Sequence, residues 1–197
     1  MTEQKLEQEG MSETARKKLL AIARQALTDA VNGRPVSREK VNDPELQGHQ
    51  GAFVTLTRQG RLRGCIGRFT ADQPLYEVVR AMAPSAALQD QRFPRVQPPE
   101  LDEISIEISV LSPMRRVSDP LREVELGKHG IYIKRGWHTG TYLPQVATEH
   151  NMGLEEFLSS CTAHKAGLPP DAWKDPETEV YVYTAEVFGE ENIDSNQ

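Results

Sequence analysis

Cysteine is scarce in this chain of 197 residues: Cys65 and Cys161 stand far apart and form no CxxC pair. That spacing suggests neither a disulfide framework nor a structural zinc site, and it suits a reducing compartment. Long apolar runs are missing as well. The opening stretch Met1-Thr2-Glu3-Gln4-Lys5-Leu6 is charged and reads as neither signal peptide nor membrane span, so a cytoplasmic location is expected. Positive charge is in the minority. With 23 Lys and Arg against 29 Asp and Glu the net charge is −6, which argues against broad binding to nucleic acid or anionic membrane. The five histidines show no HxH or HExxH spacing, so no metal or other cofactor is expected.

What is present is the make-up of a soluble globular protein, long enough to bury a sizeable core without covalent staples. Leu19, Leu20, Ile22, Ala23, Ala26, Leu27, Ala30 and Val31 recur at helical spacing, and Asn32-Gly33 supplies a stop. Residues 34–50 hold neither period and contain Pro35, Pro44 and Gly48, so they read as a long surface connection that covers a cleft. Phe53 to Thr57 and Arg61 to Phe69 form a predicted β-hairpin around Gln59-Gly60. Pro74 opens a second helix, with Asp72 as its cap and Pro84 as a break or kink. Ile104, Ile106, Ile108 and Val110 alternate with polar residues in the clearest strand. A second hairpin is predicted around Arg135-Gly136, a short helix from Pro144, an apolar helical stripe through Leu154, Phe157, Leu158 and Cys161, and a covered strand at Val180 to Tyr183. Without strict βαβ alternation, this mixture predicts an α+β fold with antiparallel pairing.

The chemistry concentrates in Leu62-Arg63-Gly64-Cys65-Ile66-Gly67. Two glycines let the backbone bend and approach a ligand, and Arg58, Arg61, Arg63 and Arg68 surround a thiol. Nearby positive charge favours the thiolate, the nucleophilic form, and forked guanidinium groups suit a small anionic ligand. On an extended strand Arg61, Arg63 and Cys65 share one face, unless Gly64 and Gly67 break that register with a bulge or a turn. The alternative reading makes Cys65 a small apolar filler in a tight turn. His129, in a glycine-flanked loop, is the candidate acid/base partner or a plain surface histidine. Asp90 and Arg92 form a charged corner that either orients a substrate or braces the motif, and Gln145 offers an amide to a ligand or caps a helix. Cys161 belongs to the core.

In their order these motifs resemble the AMMECR family. The resemblance rests on the Leu62–Gly67 signature, then Asp90, Arg92-Phe93-Pro94, Glu100-Leu101, Gly127-Lys128-His129-Gly130, Leu143-Pro144-Gln145-Val146 and Lys165-Ala166-Gly167-Leu168. It covers nearly the whole chain and is far more specific than one short pattern. It implies an α+β fold of two subdomains, the larger built on an antiparallel sheet, with a cleft near the cysteine motif. The expected boundaries are a flexible tail over 1–11, read from its polar, Gly-punctuated residues, one domain over 12–190 and a C-terminal tail over 191–197. It also implies kinship with the AmmeMemoRadiSam group and hence Memo-like and radical SAM proteins as partners. No reaction is implied, and the chain lacks the three-cysteine cluster that an iron–sulfur centre would need. Pro84 and Gln91 depart from the family pattern, which has a continuous helix at the first position and proline at the second.

Two functions stay open at this stage. In one, Cys65 acts as a thiolate on a small anionic substrate that Arg63 positions, with Gly64, Gly67, Asp90, Arg92 and Gln145 lining the site. In the other, the same groove is a non-catalytic interaction or regulatory module.

Overall fold

The computed structural model describes residues 10–70 and 72–193. Along the chain run α1 (Glu13–Val31), β1 (Ala52–Arg58), β2 (Arg61–Arg68), α2 (Leu75–Leu88), β3 (Ile104–Leu111), β4 (Arg115–Val117), α3 (Pro120–Glu123), β5 (Gly130–Arg135), β6 (His138–Tyr142), α4 (Pro144–Glu149), α5 (Leu154–His164), β7 (Glu179–Tyr183), β8 (Ala185–Gly189) and α6 (Glu190–Ile193). They divide into two compact units, one of residues 1–110 with 186–197 and one of residues 111–185. The predicted tail over 1–11 falls mostly outside the described residues. Met11 is described, and its N–H donates to the carboxylate of Glu186 at 3.1 Å. Of the predicted C-terminal tail, residues 194–197 lie outside the described residues.

The first unit is built on a four-stranded sheet in the order β2-β1-β3-β8, with β1 antiparallel to both neighbours. Period-two alternation sends Val54, Leu56, Ile66, Ile106 and Ile108 to one face, where they meet Leu19, Leu27, Val78, Val79 and Ala83 of the two long helices. The opposite face carries the row Cys65, Thr55 and Glu107. Gln59 and Gly60, at φ 52° and 71°, supply the two positive-φ positions that a tight two-residue hairpin needs.

Helix α1 starts where the Ser12 hydroxyl accepts from the Ala15 N–H and stops before Gly33 at φ 70°. Helix α2 corrects two expectations. Pro84 does not break it, because the backbone continues from Leu75 to Leu88 around the one lost donor. Asp72 does not cap it either: Pro74 holds the cap position, and the Leu75 N–H is taken by the carbonyl of Gly48 in the long connection.

The second unit has its own sheet, in the order β4-β7-β5-β6 and antiparallel throughout. Ile131, Ile133, Val180 and Val182 pack with Phe157, Leu158 and Cys161 of α5 and with Trp173. Val180 to Tyr183 lies inside the sheet, flanked by β4 and β5; Val180 and Val182 turn to the core, and on the alternate face Tyr181 meets the Tyr132 ring. Gly130 makes room for the Tyr183 ring, whose Cζ would stand 2.5 Å from an added Cβ. The Tyr183 hydroxyl in turn meets Thr141 Oγ1 at 2.8 Å and donates to the Tyr142 carbonyl at 3.1 Å. Among the described residues no helix is long and apolar enough to cross a membrane.

Candidate functional site

Strand β2 is the outer strand of its sheet, so one side of its backbone has no neighbouring strand. The chain finishes that edge with side chains. The Cys65 N–H donates to Asp90 Oδ2 at 2.9 Å, and Arg92 Nη2 donates to the Cys65 carbonyl at 3.2 Å. Asp90 then binds Arg92 three more times, through Nη2 at 2.7 Å, Nε at 2.9 Å and the backbone N–H at 3.1 Å. The corner thus replaces the backbone of a missing strand, a device that also blocks edge-to-edge pairing. With its side chain only 4% exposed, Asp90 is held far below the usual carboxylate range, first by Arg92 and then by the backbone amides of Cys65 and Arg92. Burial works against that shift and is outweighed.

The glycines serve packing in this strand. Neither Gly64 nor Gly67 has a positive φ. A Cβ on Gly64 would stand 2.1 Å from the carbonyl oxygen of Ala86 in α2, and one on Gly67 would stand 2.3 Å from the ring of Phe53. The close approach expected of a ligand is therefore made by the chain's own helix and ring.

Arg63 corrects the sequence expectation more sharply. A register shift between Leu56 and Thr57 leaves Arg63 as an extra residue on β2, so Arg61 pairs with Arg58 and Leu62 with Thr57. By that parity Leu62, and not Arg61, falls on the face of Cys65. Arg63 turns to Glu100, which it grips with Nε and Nη2, both at 2.9 Å, and its Nη1 donates to the Pro94 carbonyl at 2.7 Å. This bidentate pair, with both side chains largely buried, occupies the guanidinium expected to position a substrate. Glu100 also takes Arg58 and the N–H of Gln97. The reading of the sequence placed Glu100 in a motif without seeing this role; the signal was its place as third residue of the turn that Pro98 opens.

The Cys65 thiol is half-buried and accepts from the Thr55 hydroxyl at 3.3 Å. Burial raises its pKa above that of a free thiol; Thr55 and the charge of Arg92 oppose that rise, and Asp90 and Glu107 add to it. Of the four arginines expected around it, Arg63 is spent on Glu100 and Arg58 bridges Glu100 and Glu103, and the cation that acts on the thiol is Arg92.

His129 and Gln145 belong to the second unit, Cys65 to the first, so neither unit alone brings them together. His129 Nδ1 accepts the Glu125 N–H at 3.1 Å, which leaves the neutral ring with its proton on Nε2. Burial lowers its pKa and favours that neutral form. Gln145 sits half-buried in the first turn of α4, where its backbone carbonyl accepts from the Thr148 hydroxyl. Among the described residues no three His, Cys, Asp or Glu side chains converge as a metal site would need.

The AMMECR1 family model matches residues 20–188. The chain belongs to the AMMECR1 family. A relative in Thermococcus gammatolerans is 44% identical over 183 residues, covering 88% of this chain and 89% of that protein. One in Methanothermobacter thermautotrophicus is 42% identical over 179 residues, covering 88% and 93%. The crystal structure of PH0010 from Pyrococcus horikoshii, an uncharacterized protein, superimposes with a TM-score of 0.84 at 38% identity, covering 92% of this chain and 94% of that one. At the two positions expected to depart from the family pattern, α2 runs through Pro84, and Gln91 stands in a corner whose hydrogen bonds come from its neighbours Asp90 and Arg92.

Proposed function

We propose that this AMMECR1 protein acts in the cytoplasm as an interaction module whose recognition surface is the finished edge of β2, with Arg92 as its exposed charge. The observation that carries this reading is how the motif spends its polar groups. Asp90 and Arg92 close the strand's backbone, Arg63 is consumed by Glu100, and the thiol is held toward its neutral form. Arg92, with its side chain 58% exposed, is the charged member of that corner a partner meets. The family resemblance names the partners to try, Memo-like and radical SAM proteins.

A second reading keeps Cys65 as a nucleophile toward a small anionic substrate. It draws on Thr55 and Arg92, both of which pull the thiol toward ionisation. The pH dependence of alkylation in a Cys161→Ser background separates the two. A thiol pKa above the free value of about 8.5, with capture of a Memo-like or radical SAM protein that Arg92→Lys weakens, is the outcome expected. A pKa well below that value with fast alkylation would replace the interaction reading by the nucleophile.

A further inference from the structure

The long connection over 34–50 arches across α1, and beneath it lies a cleft of about 540 Å³. Such a volume lies within the roughly 300–1,000 Å³ of small-molecule sites. Its floor is apolar, from Ala21 and Ile22 of α1 with Val36 and Val41 of the connection, and Ile22 and Val41 continue into the core. Its charges run against the rest of the protein. In a chain of net charge −6 the cleft is lined by Lys18, Lys40 and Arg80 against the single carboxylate of Glu39.

The three cations are not equally committed. Lys18 is paired with Asp43 at 2.6 Å. Lys40 has no ion pair among the described residues and stands exposed. Arg80 is only 8% exposed, an unusual place for a guanidinium. It is fixed by Glu77 at 3.1 Å, by the Glu39 carbonyl at 2.6 Å and by the Tyr76 ring at 5.1 Å. Those contacts use Nη1 and Nη2, so among the described residues its Nε–H has no acceptor. On a residue that lines the cleft, that remaining N–H is open to an acceptor brought in from solvent.

We propose that this cleft binds an organic anion, a carboxylate or phosphate on an apolar body, with Arg80 and Lys40 holding the head over the floor of Ala21, Ile22, Val36 and Val41. The site is separate from the motif strand, and its fate does not depend on the interaction reading. Because Arg80 also holds the Glu39 carbonyl, a bound anion meets the connection and α2 at one point.

The test is calorimetric titration of the whole protein with octanoate and octyl phosphate, with octanol and octylammonium as controls and backbone amide shifts as the map. Saturable binding of one or both anions is expected, at least about tenfold tighter than either control, a difference of about 1.4 kcal/mol. Shifts should fall on residues 18–26 and 36–41. Whichever anion binds tighter identifies the head group. Lys40→Glu, at an exposed position, should weaken the anion about tenfold or more, and Ala21→Phe should fill the cleft and remove binding while circular dichroism stays unchanged. No saturable binding of either anion, equal binding of octanol, or affinities untouched by both substitutions would overturn the proposal.

Discussion

Strand β2 in the first unit and helix α5 in the second each carry one cysteine, and burial drives both thiols toward the neutral form, yet their neighbourhoods differ in kind. Cys161 has no exposed surface, lies among Phe157, Leu158 and other apolar side chains, and is pushed up to about 12. Cys65 keeps part of its surface and faces Thr55 and Arg92, which counteract the same desolvation. The difference follows from where each backbone puts its hydrogen bonds. A helix satisfies its interior groups within itself, so α5 asks only for apolar packing around Cys161. An outer strand leaves every second residue's N–H and C=O unpaired, and the first unit supplies Asp90 and Arg92 to close the pair at Cys65. The polar concentration around the motif is therefore explained first by the strand's edge.

The hardest way to break this comparison is through the glycines that let each sheet meet the backbone packed on it. Gly64 approaches the Ala86 carbonyl, and Gly140 of β6 approaches the Ala166 N–H, 2.3 Å from an added Cβ. Backbone stands on both sides, so Gly64→Ala should cost about 3 kcal/mol or more, and Gly140→Ala a similar amount. For a chain of this size that is a fall of about 6–12 °C in melting temperature. A Gly64→Ala protein that melted with the wild type would show that α2 is free to move off β2.

Asp90 and Glu123 sharpen the contrast at the next level. Asp90 is nearly buried and its folded pKa is depressed, so its contribution is complete above the unfolded value near 3.9 and is lost as pH falls through the lower folded value. Asp90→Asn should lose about 2 kcal/mol at pH 7. In urea titrations the gap to wild type should close as the pH drops below about 4. Glu123 is held at about 2 by the amides of Asp119 and Ser118 and by Arg115, all near solvent. Glu123→Gln should follow the same pH direction with a smaller loss. An equal loss at both sites would make burial irrelevant to the corner's role.

Most of this framework was legible in the sequence, for physical reasons that also mark where reading stopped. The helical stripe from Leu19 to Val31 and the alternation at Ile104 to Val110 are periodic because each faces a core, and both elements form there. The hairpin at Gln59-Gly60 was visible because Gly60, which accepts a positive φ without strain, separates two runs of β-formers. Arg63 was misplaced because one inserted residue reverses strand parity; Gly64 signals that a bulge can form there, but no local pattern says that it does. Glu100 lies 37 positions from Arg63, a separation that no local pattern bridges. The short strand β4 carries too few residues for a period to show.

The two cysteines themselves give a smaller effect. Cys161→Ser places a hydroxyl in an apolar site, and a loss of about 1–3 kcal/mol is expected. Cys65→Ser keeps a partner in Thr55 and should change stability by less than about 1 kcal/mol. Chemical denaturation of the two proteins checks the order; a reversed order would mean that the polar ring around Cys65 is tuned to sulfur.

The smallest effect on stability is expected at the tip of the β5–β6 hairpin. Trp137 is 101% exposed there, beside Gly136 at φ 59°, and contributes no packing. Trp137→Ser should shift stability by no more than about 0.5 kcal/mol. Its value lies in partner capture. If recognition sits on the finished edge of β2, Trp137→Ser retains a captured partner and Arg92→Lys does not. Because an exposed tryptophan can itself anchor a partner, the reverse result would move recognition from the charged edge of the first unit to the aromatic tip of the second. Asp90 and Arg92 would then keep only the task the geometry already gives them, closing the strand that bears Cys65.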